Sequence, residues 1–133
     1  MTDTNRLLRL VLLADAASSG AMGLALAAGA GPLEGLLGLP ATLLRTAGLA
    51  LIPFAIFVAW AGTRAAIKPA LVWTIVVVNA LWVLDSAVLL MWPGVQPSLL
   101  GQIFVAAQAA AVGGLTIAQA ALAGRTGARA AIC

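Results

Sequence analysis

Four polar residues lie in the middle of a long apolar stretch that covers residues 70–92. They are Asn79, Trp82, Asp85 and Ser86. A carboxylate in hydrocarbon costs about 2.5 to 3.5 kcal/mol on the translocon-insertion scale, so Asp85 is expected to face other helices or water and to have a partner. Helical spacing places Asn79, Trp82 and Ser86 on one face, with Asp85 on its flank.

A second carboxylate, Asp15, lies in another apolar segment between the N-terminal polar residues and a Gly/Pro-rich connection. Counting 1.5 Å per residue from the same end of each segment puts Asp15 and Asn79 at a depth of about 12 to 14 Å. Ser18 and Ser19 flank Asp15 at helical spacing. The sequence therefore predicts an inner polar level that couples Asp15, Asn79 and one of the two serines.

A further set of polar residues falls at about 20 to 25 Å on the same count. It comprises Arg45, Asp85 and Gln108. Because Arg45 and Asp85 carry opposite charges at compatible depth, we expect them to pair, with Gln108 donating a further hydrogen bond. The alternative is that Arg45 extends to the membrane interface or pairs with Glu34, which leaves Asp85 protonated or hydrated.

The composition indicates the class of protein in which these residues lie. The 133-residue chain is 63% hydrophobic and 8% charged, and its mean hydropathy is +1.11, values typical of a membrane protein. The sequence has no His or Tyr, one Lys and one Cys, so little catalytic machinery is present and we expect no enzyme, metal or cofactor. The net charge of +3 comes from short basic pairs without a stripe or patch, which argues against nucleic acid.

Four apolar segments are each long enough to cross a hydrocarbon core of about 30 Å as a helix. They cover about residues 7–30, 42–62, 70–92 and 98–123. Pro53 interrupts the second segment and predicts a kink there, and Ser98 is positioned to cap the fourth. The prediction is one domain, residues 1–133, that is an all-α integral membrane bundle of four transmembrane helices in up-down-up-down order.

The basic residues predict how this bundle is oriented. All but Arg45 fall on one side of a four-span chain, namely Arg6, Arg9, Arg64, Lys68, Arg125 and Arg129. The positive-inside rule then makes both termini cytoplasmic.

Small side chains at four-residue spacing predict which helices approach closely. One such row lies on the first segment and one on the fourth: Ala17, Ala21, Ala25 and Gly29, and Ala106, Ala110, Gly114 and Ala118. We expect contact between the first and fourth helices along these rows.

Three short motifs carry a resemblance to known proteins. They are Gly38-Leu39-Pro40, Asn79-Ala-Leu-Trp82, and Gly101-Gln-Ile-Phe104 leading to Gln108. With the four-span plan, the chain resembles small uncharacterised bacterial inner-membrane proteins and, more loosely, DoxX-like four-helix membrane proteins. The resemblance implies a multi-pass protein of the bacterial inner membrane and no established activity, so it assigns no catalytic residue.

The expected function is a structural or accessory membrane component that binds a protein or lipid partner through its helix faces. Its partners would be membrane lipids and a protein partner or a second copy of the chain. One alternative is a small transporter or channel that uses Asp15 and Asp85, since buried carboxylates at two depths can pass charge along. Another is a lipophile-binding bundle with a pocket at Trp82 near Pro53.

Overall fold

The computed structural model describes residues 3–132, and the side chains of residues 3–125. Arg129, used above to predict orientation, lies outside the described side chains. The described residues form five helices: α1 Asp3–Ala28, α2 Ala30–Leu37, α3 Ala41–Thr63, α4 Pro69–Met91 and α5 Leu99–Ile132. The described residues contain no strand, so the predicted all-α fold class is confirmed.

Four of the helices are long and apolar enough to cross a membrane: α1, α3, α4 and residues 99–125 of α5. They correspond to the four predicted segments. The short helix α2 lies in the stretch that we predicted only as a Gly/Pro-rich connection between the first two spans. It ends where Gly38 adopts a left-handed conformation, with φ of 68°, which glycine reaches without steric cost.

The helices surround a common centre. α1 packs closely on α3 and on α5, α4 packs on α5, and α3 and α4 make only slight contact. α1 and α4 therefore lie diagonally opposite each other. The α1–α3 pair runs antiparallel: Gly23 lies beside Gly48, whereas the earlier residue Leu12 lies beside Gly62.

Glycine allows the backbones of α1 and α3 to meet. A Cβ atom added to Gly48 would lie 2.5 Å from the backbone nitrogen of Ala27 and 2.6 Å from the carbonyl oxygen of Gly23. Such distances leave no space for a methyl group. The backbones of the first and second long helices are thus in direct contact at this point.

The first and fourth long helices, α1 and α5, are in contact as predicted, but the predicted rows of small residues do not form that contact. Ala17, Ala21 and Ala25 are exposed, and on α5 so are Ala106 and Ala110. The reason is that the buried Asp15 fixes the rotation of α1. A residue two positions later lies about 200° around the helix, which turns the row of Ala17 outward.

At one end of the bundle, helix α2 is hydrogen-bonded to the residue that precedes α5. The backbone N–H of Ser98 donates to the carbonyl of Leu37 at 2.9 Å, and the Ser98 hydroxyl donates to the carbonyl of Leu36 at 2.8 Å. The Ser98 hydroxyl also accepts from the N–H of Gly101 at 3.1 Å, as expected of an N-cap. A side chain at Gly101 would collide with the Leu37 carbonyl oxygen.

Candidate functional site

A cluster of four polar side chains occupies the centre of the bundle. These residues, here called the Asp15 cluster, are Asp15, Ser19, Asn79 and Gln119. Oδ2 of Asp15 accepts hydrogen bonds from Nδ2 of Asn79 and Nε2 of Gln119, each at 2.7 Å. Oδ1 accepts from the Ser19 hydroxyl at 3.1 Å. The cluster ties three helices together and links the diagonal pair α1 and α4.

The Asp15 cluster is sealed from the surroundings. Asp15 and Gln119 are 0% exposed and Asn79 is 3% exposed. Hydroxyl and amide donors surround the carboxylate, and no ion pair to Asp15 occurs within the described residues. The guanidinium of Arg9 donates instead to the carbonyl of Gly62, at 2.6 Å. Burial of a carboxylate is tolerable here because its oxygens are hydrogen-bonded.

Of the residues predicted for the inner level, the structure brings together Asp15, Ser19 and Asn79. Ser18 does not join them, because its hydroxyl donates to the backbone carbonyl of Asp15 at 3.1 Å. Gln119, the fourth member of the cluster, is not among the residues predicted from the sequence. The predicted fourth span ends at about residue 123, whereas α5 continues to Ile132. Depth in this span is counted from its C-terminal end, so the shorter span puts Gln119 too near that end to match the level of Asp15.

A second polar cluster joins α4 to α5. These residues, the Trp82 cluster, are Trp82, Ser86 and Gln108. The indole Nε1 of Trp82 donates to Oε1 of Gln108 at 2.7 Å, and Nε2 of Gln108 donates to the Ser86 hydroxyl at 2.9 Å. The Ser86 hydroxyl donates in turn to the carbonyl of Trp82 at 2.8 Å. Gln108 thus binds α4 through Trp82 and Ser86, and not through Asp85 as predicted.

The predicted pair of Arg45 and Asp85 is not formed. Both side chains are exposed, and no ion pair joins them in the described part of the chain. The alternative partner, Glu34, accepts a hydrogen bond from the backbone N–H of Ala41 at 3.0 Å. The physical reason is that α3 and α4 are barely in contact, so equal depth along the two helices does not bring the side chains together.

Two adjoining cavities lie along the loose boundary between α3 and α4. The central cavity, of about 260 Å³, is lined by Ser19, Asn79 and apolar residues of all four long helices. The lateral groove, of about 630 Å³, extends from there toward α2 and is lined by apolar side chains with Asp85 and Ser86. Trp82 and Gln108 line both cavities and so mark their junction.

The lining of the two cavities corrects the predicted pocket. Trp82 is a wall residue of both, but Pro53 lines neither and is exposed. Helix α3 continues through Pro53 from Ala41 to Thr63. Asp85 is the one charged residue among the described residues that line the lateral groove.

Four apolar helices around a buried polar cluster define a multi-pass transmembrane helical bundle. In comparisons with protein-family models, curated proteins and solved structures, none matches this chain. The resemblance to DoxX-like proteins therefore stays a prediction.

Proposed function

We propose that this protein binds a lipophilic molecule from the bilayer in the lateral groove between α3 and α4. The observation that carries the proposal is the unsealed boundary between these two helices. All other neighbouring pairs of long helices pack closely, whereas α3 and α4 contact each other only slightly. Within the described residues, no side-chain hydrogen bond joins them.

The size and lining of the groove suit such a ligand. Ligand sites typically enclose about 300 to 1,000 Å³ and are mostly apolar with a few polar groups, and the groove has about 630 Å³ with Leu44, Leu89 and Phe104 among its walls. An empty space of that size would forfeit dispersion contacts along its whole lining. A lipid chain or another apolar body would restore them.

The proposed setting follows from the charge distribution. With both termini cytoplasmic, the groove faces the outer leaflet, because α2 and the residue 92–98 connection lie at the end of the bundle opposite the basic pairs. We place the protein in a bacterial inner membrane as a non-enzymatic accessory component. Binding of a protein partner or a second copy through the exposed apolar faces is compatible with this role.

Quenching of tryptophan fluorescence by a brominated alcohol, 11-bromoundecanol, tests the proposal. One variant, with Trp60→Phe and Trp73→Phe, keeps only the groove tryptophans Trp82 and Trp92. Its counterpart, with Trp82→Phe and Trp92→Phe, keeps only the two tryptophans outside the groove. We expect saturable quenching of the first variant and only gradual, non-saturating quenching of the second.

A substitution that fills the groove sharpens this test. Ala47 lines the groove, so Ala47→Phe should remove the saturable quenching. Ala87 is exposed on α4 and lines neither cavity, so Ala87→Phe is the matched control and should leave the quenching intact. Saturation that survives Ala47→Phe, or none in the parent variant, would refute the proposal.

A small transporter is the second candidate, and the junction of the two cavities favours it. Asp85 lines the lateral groove, while Ser19 and Asn79, which bind Asp15, line the central cavity on the other side of Trp82. Liposome flux assays that compare the wild type with Asp15→Asn and Asp85→Asn test it. Flux that depends on the carboxylates would favour transport. Flux from wild-type proteoliposomes no greater than the leakage from protein-free liposomes would rule this candidate out.

A further inference from the structure

We infer that the ligand of the lateral groove is a lipophilic cation, with an ammonium group at Asp85 and its apolar body along the groove. This inference rests on the proposed function and specifies its ligand class. The observation behind it is a carboxylate without a counter-charge in a mostly apolar site, where it is the one charged residue among the described lining residues.

Asp85 differs from Asp15 and Glu34 in having no hydrogen-bond donor for its side chain within the described part of the chain. Asp15 accepts three hydrogen bonds, and Glu34 accepts one from Ala41. No described residue donates a hydrogen bond to Asp85 or forms an ion pair with it. The nearest basic residue by depth is Arg45, and it does not line the groove.

The depth of Asp85 makes an unpaired charge costly. Asp85 lies six residues before Met91, the last residue of α4, which is about 9 Å along the helix axis. A carboxylate at such a position in a membrane is expensive unless it meets a cation or water. A bound ammonium group would supply the missing charge, whereas an anionic amphiphile would be repelled and a neutral one would leave Asp85 unpaired.

Two tryptophans complete the recognition chemistry. Trp82 and Trp92 line the groove with Asp85, three residues before it and seven residues after it. This spacing places Trp82 and Asp85 on one side of α4, and Trp92 directly follows the last residue of that helix. Indole rings attract cations through their faces and also pack well against alkyl chains. A carboxylate beside aromatic rings in an apolar groove is therefore suited to an alkylammonium ion.

The test compares three brominated probes of equal chain length in detergent micelles. They are 11-bromoundecyl-trimethylammonium, 11-bromoundecanol and 11-bromoundecanoate. In the variant that keeps Trp82 and Trp92, we expect the ammonium probe to half-saturate quenching at a mole ratio to detergent about 10-fold lower than the alcohol does. The carboxylate probe should bind more weakly than the alcohol.

Substitutions of acidic residues assign the preference to Asp85. Asp85→Asn should weaken binding of the ammonium probe about 10-fold and leave the alcohol unchanged, while Asp85→Glu should retain the preference for the cation. Asp3→Asn removes the same charge from an exposed residue at the start of α1 and should change neither.

The outcomes separate the two proposals. Equal binding of all three probes, unaffected by Asp85→Asn, would overturn the inference and leave the lipophile-binding function intact. Stronger binding of the carboxylate probe would also overturn the inference. If none of the probes gives saturable quenching, the proposed function fails and the inference fails with it.

Discussion

Two aspartates of similar sequence context have opposite environments in this protein. Asp15 is completely buried with three hydrogen-bond donors, and Asp85 is exposed beside a groove with none from the described residues. The same substitution at the two positions should therefore have different effects.

We expect Asp15→Asn to lower the free energy of unfolding by about 1 to 3 kcal/mol, because an amide NH₂ would replace a carboxylate oxygen that accepts hydrogen bonds. Asp85→Asn should change it by less than about 0.5 kcal/mol, since Asp85 holds no other residue in place. Reversible unfolding by SDS in mixed micelles measures both. Equal effects of the two substitutions would contradict the environments described above.

A double-mutant cycle on Arg45 and Asp85 tests the absence of their ion pair. With Arg45→Gln and Asp85→Asn we expect a coupling energy below about 0.5 kcal/mol, as for side chains that do not touch. The matched cycle, Asp15→Asn with Gln119→Leu, should give a coupling of about 0.5 to 3 kcal/mol. A coupling above 1 kcal/mol between Arg45 and Asp85 would show that they pair.

At the residue scale, the sequence predicted how deep a side chain lies along its helix but not which way it points around the helix axis. Counting residues from the end of each span placed Asp15 and Asn79 at one level, and they do form a hydrogen bond. The same count placed Arg45 beside Asp85, and they do not meet. Depth along a helix leaves its rotation undetermined, and a side chain one position away points about 100° elsewhere.

At the scale of the helices, backbone proximity depends on single glycines. Gly23 and Gly48 bring α1 and α3 together, whereas a Cβ added at Gly113 would have no atom within 4 Å. The sequence contains 14 glycines, and alanine is so frequent that four-residue rows arise by chance. Their spacing alone could not show which row makes the contact.

Gly48→Ala should destabilise the protein by about 1 to 3 kcal/mol, because the new methyl group would overlap the backbone of α1. Gly113→Ala is the matched control in an open position of α5, and it should stabilise the protein by about 0.5 to 1 kcal/mol through helix propensity. Unfolding in mixed micelles again supplies the measurement. A neutral Gly48→Ala would mean that the two helices are farther apart than described.

At the scale of the whole molecule, the all-α class and the number of spans follow from composition and segment length. Both predictions need only the hydrophobic pattern, which does not depend on how helices rotate or pack. Helix α2 was missed because Gly31, Pro32, Gly35 and Gly38 favour an irregular connection by local propensity, and its fastening to Ser98 depends on contacts distant in sequence.

The orientation in the membrane can be tested with single cysteines in a Cys133→Ser background. Gln96→Cys lies in the exposed connection before α5, and Ala66→Cys lies in the connection before α4. If both termini are cytoplasmic, a membrane-impermeant maleimide should label Gln96→Cys on intact cells and Ala66→Cys only after permeabilisation. The reverse labelling pattern would show that both termini are on the outer side.

The loose boundary between α3 and α4 also determines the phase from which a ligand arrives. Since the groove opens sideways between two apolar helices, its ligand would enter by lateral diffusion in the leaflet. Occupancy would then follow the mole fraction of ligand among the lipids, and an apparent dissociation constant in aqueous units would vary with the lipid-to-protein ratio. Even a low intrinsic affinity could keep the groove filled, because partitioning concentrates an amphiphile in the bilayer before it binds.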